Sequence, residues 1–199
     1  MTTSNVLRVV AIALTALTLV GQRDAAADKT NVEEFYGTGF RAVSGVVAVN
    51  ETLSDCGDAD ASSNVILQTT TGSVTYTGIL EGTGQLLTKT LINRCVPSQP
   101  HNTFRVLDSF ESLTVDGRTG GAVVEIVGHG RAPVTGVNIN ESTVRILCGT
   151  GELKGVHAEG TLTTSIGPGV DVRAMQLWVH FGHNHDVGFD FLCEALDGN

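Results

Sequence analysis

The chain has 199 residues and a mass of 20.8 kDa, a size that suits one domain with a single core. Hydrophobic residues make up 41% and charged residues 17%, with 24 glycines and 4 prolines, which excludes a disordered chain and a coiled coil. The formal net charge of −9 excludes nucleic acid as a partner, because a polyanion would be repelled.

The amino terminus has the layout of a secretory signal peptide. Arg8 precedes the apolar stretch 9–20, and three alanines at 25–27 follow a polar step. An apolar stretch of about 12 residues is too short to span a bilayer, which argues against the alternative of a membrane anchor. The sequence therefore predicts a signal peptide at 1–27 and a single secreted domain at 28–199, with no membrane association after cleavage.

The rest of the chain predicts an all-β protein. Thr and Val are abundant, glycines recur along the chain, and no segment has helical apolar spacing over three turns. The predicted strands are 34–43, 73–80, 84–93, 103–115, 120–130, 143–148, 158–165, 172–181 and 187–196. Asp116-Gly117 predicts a hairpin turn, and Gly167-Pro168-Gly169 predicts another.

The number of strands favours closure of the sheet. With no helix to cover an open sheet, an up-and-down antiparallel barrel of about eight to nine strands removes the exposed edges. A barrel of this size has an interior that is filled by side chains or holds one small ligand.

The segment 50–64 is predicted to be a surface loop. It holds Asp55, Asp58 and Asp60, but these lack the spacing and the terminal Glu of a calcium-binding EF-hand loop. A solvated acidic loop is the better interpretation. Two glycosylation sequons begin at Asn50 and Asn140, in polar stretches that are also predicted to be loops.

Four cysteines, Cys56, Cys95, Cys148 and Cys193, all lie in the predicted exported part. Their even number indicates two disulfides, for which three pairings are open. Cys56 precedes a predicted strand pair and Cys95 ends it, so we prefer a Cys56–Cys95 bridge, which leaves Cys148 with Cys193. None lies in a CxxC pair, which argues against a zinc or redox site.

Two glycine-containing motifs carry a family resemblance. One is the run GTGELKG at 149–155 followed by EGT at 159–161, and the other is the turn 116–118 with a returning strand that ends in Gly128 and Gly130. Together, the stretch 74–165 resembles a bacterial family of small barrels of unassigned function, secreted or cytosolic, related in fold to allene oxide cyclases and plant dirigent proteins. The export signal, the cysteines and the end segment 172–196 depart from that family.

The resemblance implies a closed barrel and self-association through the barrel wall. It also implies a cofactor-free cyclase or isomerase that folds a reactive intermediate into one productive conformer. The glycines indicate the fold and not an activity, because they allow positive φ and close backbone approach where a curved sheet turns a corner.

Three side chains are candidates for catalysis: Glu125, Tyr36 and His180. Glu125 lies in the apolar strand 120–130, and an inward side chain enclosed by aliphatic groups would be suited to proton transfer. An outward and solvated Glu125 is favoured, because an unpaired buried carboxylate is costly. Trp178 shares a strand face with His180, a mixture of aromatic and polar groups that ligand pockets favour.

Other candidates have weaker support from the sequence. Trp178, Arg105 and Tyr76 are the predicted ligand-binding residues. His180, His183 and His185 lie close to Asp186, but this segment resembles a solvated hairpin tip, so no metal site is predicted. There is no G-x-S-x-G elbow and no phosphate-binding loop, so no cofactor is expected.

Two functions remain open. The first is a secreted, cofactor-independent cyclase or isomerase that holds a small, largely apolar molecule. The alternative is a non-catalytic extracellular carrier or interaction protein with a packed or passively filled barrel. Convergence of Glu125, Tyr36 and His180 inside an open cavity would favour the enzyme, and outward placement with a packed lumen would favour the alternative.

Overall fold

A computed structural model describes residues 33–57, 63–95, 100–131, 138–167 and 170–182. Eight antiparallel strands form one ring-shaped sheet, in which each strand pairs with the next and β8 pairs with β1. The strands are β1 (Glu33–Asp55), β2 (Asn64–Gly78), β3 (Leu80–Asn93), β4 (His101–Val115), β5 (Arg118–Arg131), β6 (Asn138–Gly149), β7 (Val156–Gly167) and β8 (Val170–Phe181). The all-β antiparallel prediction is confirmed.

Three predicted features lie wholly or partly outside the described residues. They are the signal peptide 1–27, the ninth strand 187–196, and the Gly167-Pro168-Gly169 turn, of which 168–169 are not described. In the part of the chain that the structure describes, no helix is long and apolar enough to cross a membrane.

The predicted loop 50–64 is wrong for residues 50–55 and for Asn64, which lie in strands. β1 continues to Asp55 and β2 starts at Asn64. A bulge lets β1 continue, because Gly45 adopts φ +60° and the register with β2 shifts between Ser44 and Val47. The residues that follow in β1 are exposed on both faces, so they show no alternation that would have revealed a strand. Asp58 and Asp60 lie outside the described residues.

The hairpin turn predicted at Asp116-Gly117 joins β4 to β5. Asp116 has φ 49° and Gly117 has φ 78°. Positive φ at both central residues is what the two-residue turn of twisted antiparallel strands needs.

Alternate residues of the strands pack into one core inside the ring. The apolar part of this core fills the end of the ring near the β2–β3, β4–β5 and β6–β7 turns, where Leu80, Val115 and Leu153 are fully buried. Phe181 closes this end: its ring stacks with Phe35 and lies under the Arg118 guanidinium, 3.9 Å from the ring centroid. We call this the closed end and the opposite one the open end.

Toward the open end, β1 and β8 no longer pair with each other. β1 pairs with β8 from Glu33↔Phe181 to Phe40↔Ala174, and beyond Phe40 the described part of β1 pairs only with β2. This free part of β1 exposes Val47 and Val49, which are 62% and 66% accessible.

The Cys56–Cys95 disulfide that the sequence favours is present at the open end. It joins the residue after β1 to a residue just beyond β3, with Cα atoms 5.3 Å apart. Cys148 is disulfide-bonded too, and its predicted partner Cys193 lies outside the described residues.

Candidate functional site

The three candidate catalytic residues lie on the outer face of the ring. Val124 and Ile126 point into the core, so Glu125 between them points outward. Glu125 pairs directly with Arg145, and Trp178 with Tyr36. Directly opposed residues share a face. Glu125, Tyr36 and His180 therefore do not meet in the interior.

Glu125 is outward, as favoured from the sequence, but it is not solvated. Its side chain is 2% exposed because Arg105 and Arg145 cover it from the neighbouring strands. Each guanidinium Nε lies 2.5 Å from one carboxylate oxygen. The carboxylate thus links β4, β5 and β6. Arg105, predicted to bind a ligand inside, is one of its two partners.

Tyr36, Trp178 and His180 form an aromatic surface patch. Tyr36 is 63% exposed and Trp178 40% exposed. The His180 ring lies 4.6 Å from that of Trp178 and stacks on His157 at 5.0 Å, centroid to centroid. His183 and His185 lie outside the described residues, within which no group of three potential metal ligands occurs.

Tyr76 is the predicted site residue that does point inward. Its hydroxyl donates to Asp108 Oδ2 at 2.6 Å, and Arg41 binds the same carboxylate through Nε at 2.7 Å and Nη2 at 2.9 Å. Arg41 and Asp108 were not predicted to belong to a site. Asp108 alternates with Val106 and Phe110 in a predicted strand, and this spacing is the signal that could have placed it in the core.

In the interior cluster Arg41–Asp108–Tyr76, the guanidinium and the phenol both keep their protons at neutral pH. Burial raises the pKa of Tyr76 well above its ordinary value, and the Asp108 charge adds to the rise. Burial alone would lower the pKa of Arg41, but the hydrogen bond and charge of Asp108 outweigh it, so this pKa is raised as well. At neutral pH the phenol is neutral and the guanidinium is charged. The cluster therefore organises the core and is unsuited to proton transfer.

A cavity of about 280 Å³ lies inside the open end of the ring, reaching the cleft between β1 and β8. Its apolar floor includes Leu86, Val106, Ile126 and Leu162. Its polar lining consists of the guanidinium groups, amides and hydroxyls of Arg41, Arg173, Gln68, Asn140, Thr70, Thr88, Thr90 and Thr164. Among the described lining residues there is no carboxylate, histidine, tyrosine or cysteine. The lining can hold a molecule by hydrogen bonds and apolar contact.

A larger depression of about 780 Å³ lies on the outer surface. Leu91, Val127 and Arg105 are among the residues around it, and the two apolar side chains are 41% and 44% exposed. This depression is open to solvent. The interior cavity is the candidate site because the ring surrounds it and because the buried polar residues Arg41, Asn140 and Thr164 line it.

The glycines of the 149–161 motif have conformational roles. Gly151 and Gly155 adopt φ +58° and +78° around the 3-10 turn between β6 and β7. Gly160 lies against β8 so closely that a Cβ there would overlap the Gln176 carbonyl oxygen. The motif therefore serves the fold.

Comparison with known proteins gives a distant structural likeness. A solved structure of a protein with unknown function from the DUF3224 family of Shewanella oneidensis MR-1 resembles this chain with a TM-score of 0.46 and 19% sequence identity. The alignment covers 77% of this chain and 100% of the other. No family model matches the chain, and no curated protein matches it.

Proposed function

We propose that this is a secreted, non-catalytic binding protein whose ring is a closed barrel of the allene oxide cyclase-like kind, with a small guest held in its open end. The observation that carries the proposal is the interior cavity with its mixed lining of apolar groups, amides, hydroxyls and guanidinium groups. A preformed concave site with a few convergent polar groups is the usual form of a small-molecule site. The proposed guest is amphipathic, because both kinds of surface line the cavity.

The cyclase or isomerase alternative has less support. Proton transfer needs an acid or base within hydrogen-bond reach of the substrate. Glu125, Tyr36 and His180 lie on the other side of the sheet from the cavity. Export fits the binding function, and the Cys56–Cys95 bridge is compatible with an oxidising compartment.

Native mass spectrometry of the protein purified from its own host tests the proposal. We expect a bound metabolite, lost on Thr88→Phe, because the larger side chain would fill a cavity that Thr88 lines. The matched control is Thr83→Phe, which adds the same bulk on the exposed outer face of the same strand. An empty protein that also takes up no apolar dye, or a guest that survives Thr88→Phe, would overturn the proposal.

Self-association through β1 is part of the proposal. The free part of β1 combines exposed valines with a strand edge that has no partner among the described residues, and such edges readily pair with another chain. A second copy of this chain is the partner we propose. In sedimentation experiments, Val47→Lys with Val49→Lys should reduce association, and Val127→Lys, a matched change elsewhere on the outer face, should not. Identical profiles for all three proteins would refute this interface.

A further inference from the structure

Two cations face each other across neighbouring strands in the outer depression. Lys89 of β3 is the direct partner of Arg105 of β4, and both side chains line the depression. Like charges that lie directly opposite each other on one face of a sheet are destabilising. This pair therefore costs the fold stability, and it places two anion-binding groups beside one concave space.

Glu125 compensates the charge of Arg105 but not that of Lys89. Arg105 binds Glu125 through Nε, which leaves the donors of its terminal nitrogens for a further anion. Lys89 is exposed, and among the described residues it takes part in no ion pair. Its neighbours on the outer face of β2, β3 and β4 include no carboxylate; they are Leu67, Thr69, Thr71, Leu87, Leu91, Thr103, Arg105 and Leu107. This side of the depression is therefore positive, in a chain whose formal net charge is −9.

Apolar side chains lie next to both cations. Leu91 is the next outward residue of β3 after Lys89, and its side chain is 41% exposed. Val127 of β5 is the direct partner of Arg105 and is 44% exposed. Leu67 of β2 lines the same depression. Exposed apolar surface that is gathered in one place marks a site of interaction.

The carboxylate that lines the depression lies on its far side. Among the described lining residues this carboxylate is Glu141 of β6, which pairs directly with His129 of β5. β6 is two strands from Arg105 and three from Lys89, or about 10–15 Å at the usual strand spacing. That distance exceeds the screening length of about 8 Å at physiological ionic strength. Glu141 therefore leaves the Lys89–Arg105 side available to an anion.

We propose that the outer depression binds a free alkyl carboxylate, whose head bridges Lys89 and Arg105 while its chain lies along Leu91 and Val127. A guanidinium matches a carboxylate in geometry, and the ammonium group adds a second point of charge. The volume of about 780 Å³ is that of an ordinary ligand site. The concave shape favours one dissolved molecule over a lipid bilayer, whose surface cannot follow into a depression. This site is separate from the interior cavity and does not depend on the guest proposed there.

Titration calorimetry of the intact protein with decanoate, acetate and decyltrimethylammonium tests this inference. Decanoate alone has both the anionic head and the chain, so we expect it to bind about tenfold more tightly than the other two, or better. Lys89→Glu should weaken decanoate binding about tenfold or more. It should also raise the midpoint of thermal unfolding, because the new carboxylate would face Arg105. A lysine with a structural role would instead lower that midpoint when replaced.

Lys154→Glu is the matched control. It makes the same change of charge at an exposed residue between β6 and β7, away from the depression. Decanoate affinity should be unchanged in this variant. An equal loss of affinity in Lys89→Glu and Lys154→Glu would show that the total charge of the protein, and not a site, governs binding, and it would overturn the proposal.

A second variant tests the apolar half of the site. Val127→Thr keeps the shape of the side chain and replaces a methyl by a hydroxyl, so it should weaken decanoate binding severalfold. Val47→Thr makes the same exchange at an exposed valine of the free part of β1 and should leave the affinity unchanged. If Val127→Thr binds decanoate as the unchanged protein does, the chain does not lie along β5 and the proposed site is wrong.

The Thr88→Phe variant separates this site from the interior one. Decanoate binding should survive Thr88→Phe, because Thr88 lines the interior cavity. If decanoate is lost on Thr88→Phe and retained in Lys89→Glu, it is the interior guest, so the outer site fails and the binding function stands. If decanoate does not bind but the protein binds vesicles of phosphatidylglycerol, the depression is a membrane-contact surface and this inference fails. No binding to either also refutes it, whatever the interior holds.

Discussion

Arg41 and Asp108 form a two-point ion pair inside the ring, with side chains that are 5% and 0% exposed. The pair joins β1 to β4 across the interior, and Tyr76 of β2 donates to the same carboxylate. A charge pair so deep in the core is stable only while all its members are present, because each isolated charge would remain buried without a partner.

Asp108→Asn should therefore lower the free energy of unfolding by about 3–5 kcal/mol. The amide leaves the Arg41 charge uncompensated. Replacing the whole cluster by Arg41→Met, Asp108→Leu and Tyr76→Phe should recover most of that loss, since no unpaired polar group then remains. Urea unfolding checks both. If the triple variant is as unstable as Asp108→Asn, then the unpaired charge of Arg41 is not what destabilises the single variant.

The raised pKa of Tyr76 predicts a loss of stability in alkali. A group whose pKa is higher in the folded than in the unfolded protein contributes its full stability below the unfolded pKa, here 10.0, and loses it as the pH rises toward the folded pKa. Tyr76→Phe should make unfolding less dependent on pH above about 10. The chain has two tyrosines, so Tyr36→Phe is the matched control and should leave the alkaline loss in place.

Tyrosinate absorbance provides a direct check on that group. In the Tyr36→Phe protein, Tyr76 is the one tyrosine left. Its ionisation should coincide with unfolding instead of preceding it. Reversible ionisation near pH 10.0 in the folded protein would contradict the sealed environment of the phenol.

Glu125→Gln should destabilise the protein less than Asp108→Asn does. Both carboxylates are buried, but the Arg105 and Arg145 side chains around Glu125 are 56% and 51% exposed, so water can compensate them. We expect a loss of about 1–2 kcal/mol and unchanged ligand binding, because Glu125 is outside the cavity. If Glu125→Gln lowers ligand binding or turnover while the protein keeps its stability, Glu125 is a functional residue.

The strand periodicity of the sequence accounts for most of the fold, since the alternation of buried and exposed residues is local. It fails for the free part of β1, where both faces are exposed and no alternation exists. The face on which Glu125 lies could not be decided locally either. Alternation with period two shows which residues share a face of the strand. Which face lies inside depends on the direction in which the sheet closes into a ring.

The interior site was harder to predict for a related reason. Asp108 and Arg41 are 67 residues apart and meet only because β1 and β4 face each other across the ring. Asn140 of β6 lies against Gly130 of β5, where a Cβ would overlap its Oδ1, and nothing in the sequence indicates this contact. What the sequence does provide is the alternation of Asp108 with Val106 and Phe110, which puts Asp108 on the apolar face of a predicted strand.

Gly160→Ala should destabilise the ring severely, by about 3 kcal/mol or more, because the added Cβ would overlap a backbone carbonyl oxygen of β8 that cannot move without breaking strand pairing. Gly182→Ala is the matched control. A Cβ there meets nothing closer than 4.0 Å, and no positive φ is involved. Thermal unfolding compares the two. A mild effect at Gly160 would mean that β7 and β8 separate more easily than their pairing suggests.

The two sequons should behave differently in a host that glycosylates secreted proteins. Both lie in strands, which corrects the predicted loops. Asn50 is exposed on the free part of β1, whereas Asn140 is buried and faces the cavity. A glycan on Asn140 would have to occupy the interior of the ring, so folded protein should carry a glycan at Asn50 alone. Peptide mass spectrometry of the secreted fraction, with Asn50→Gln as control, should find no modified Asn140; a glycan there in folded protein would place the asparagine outside the cavity.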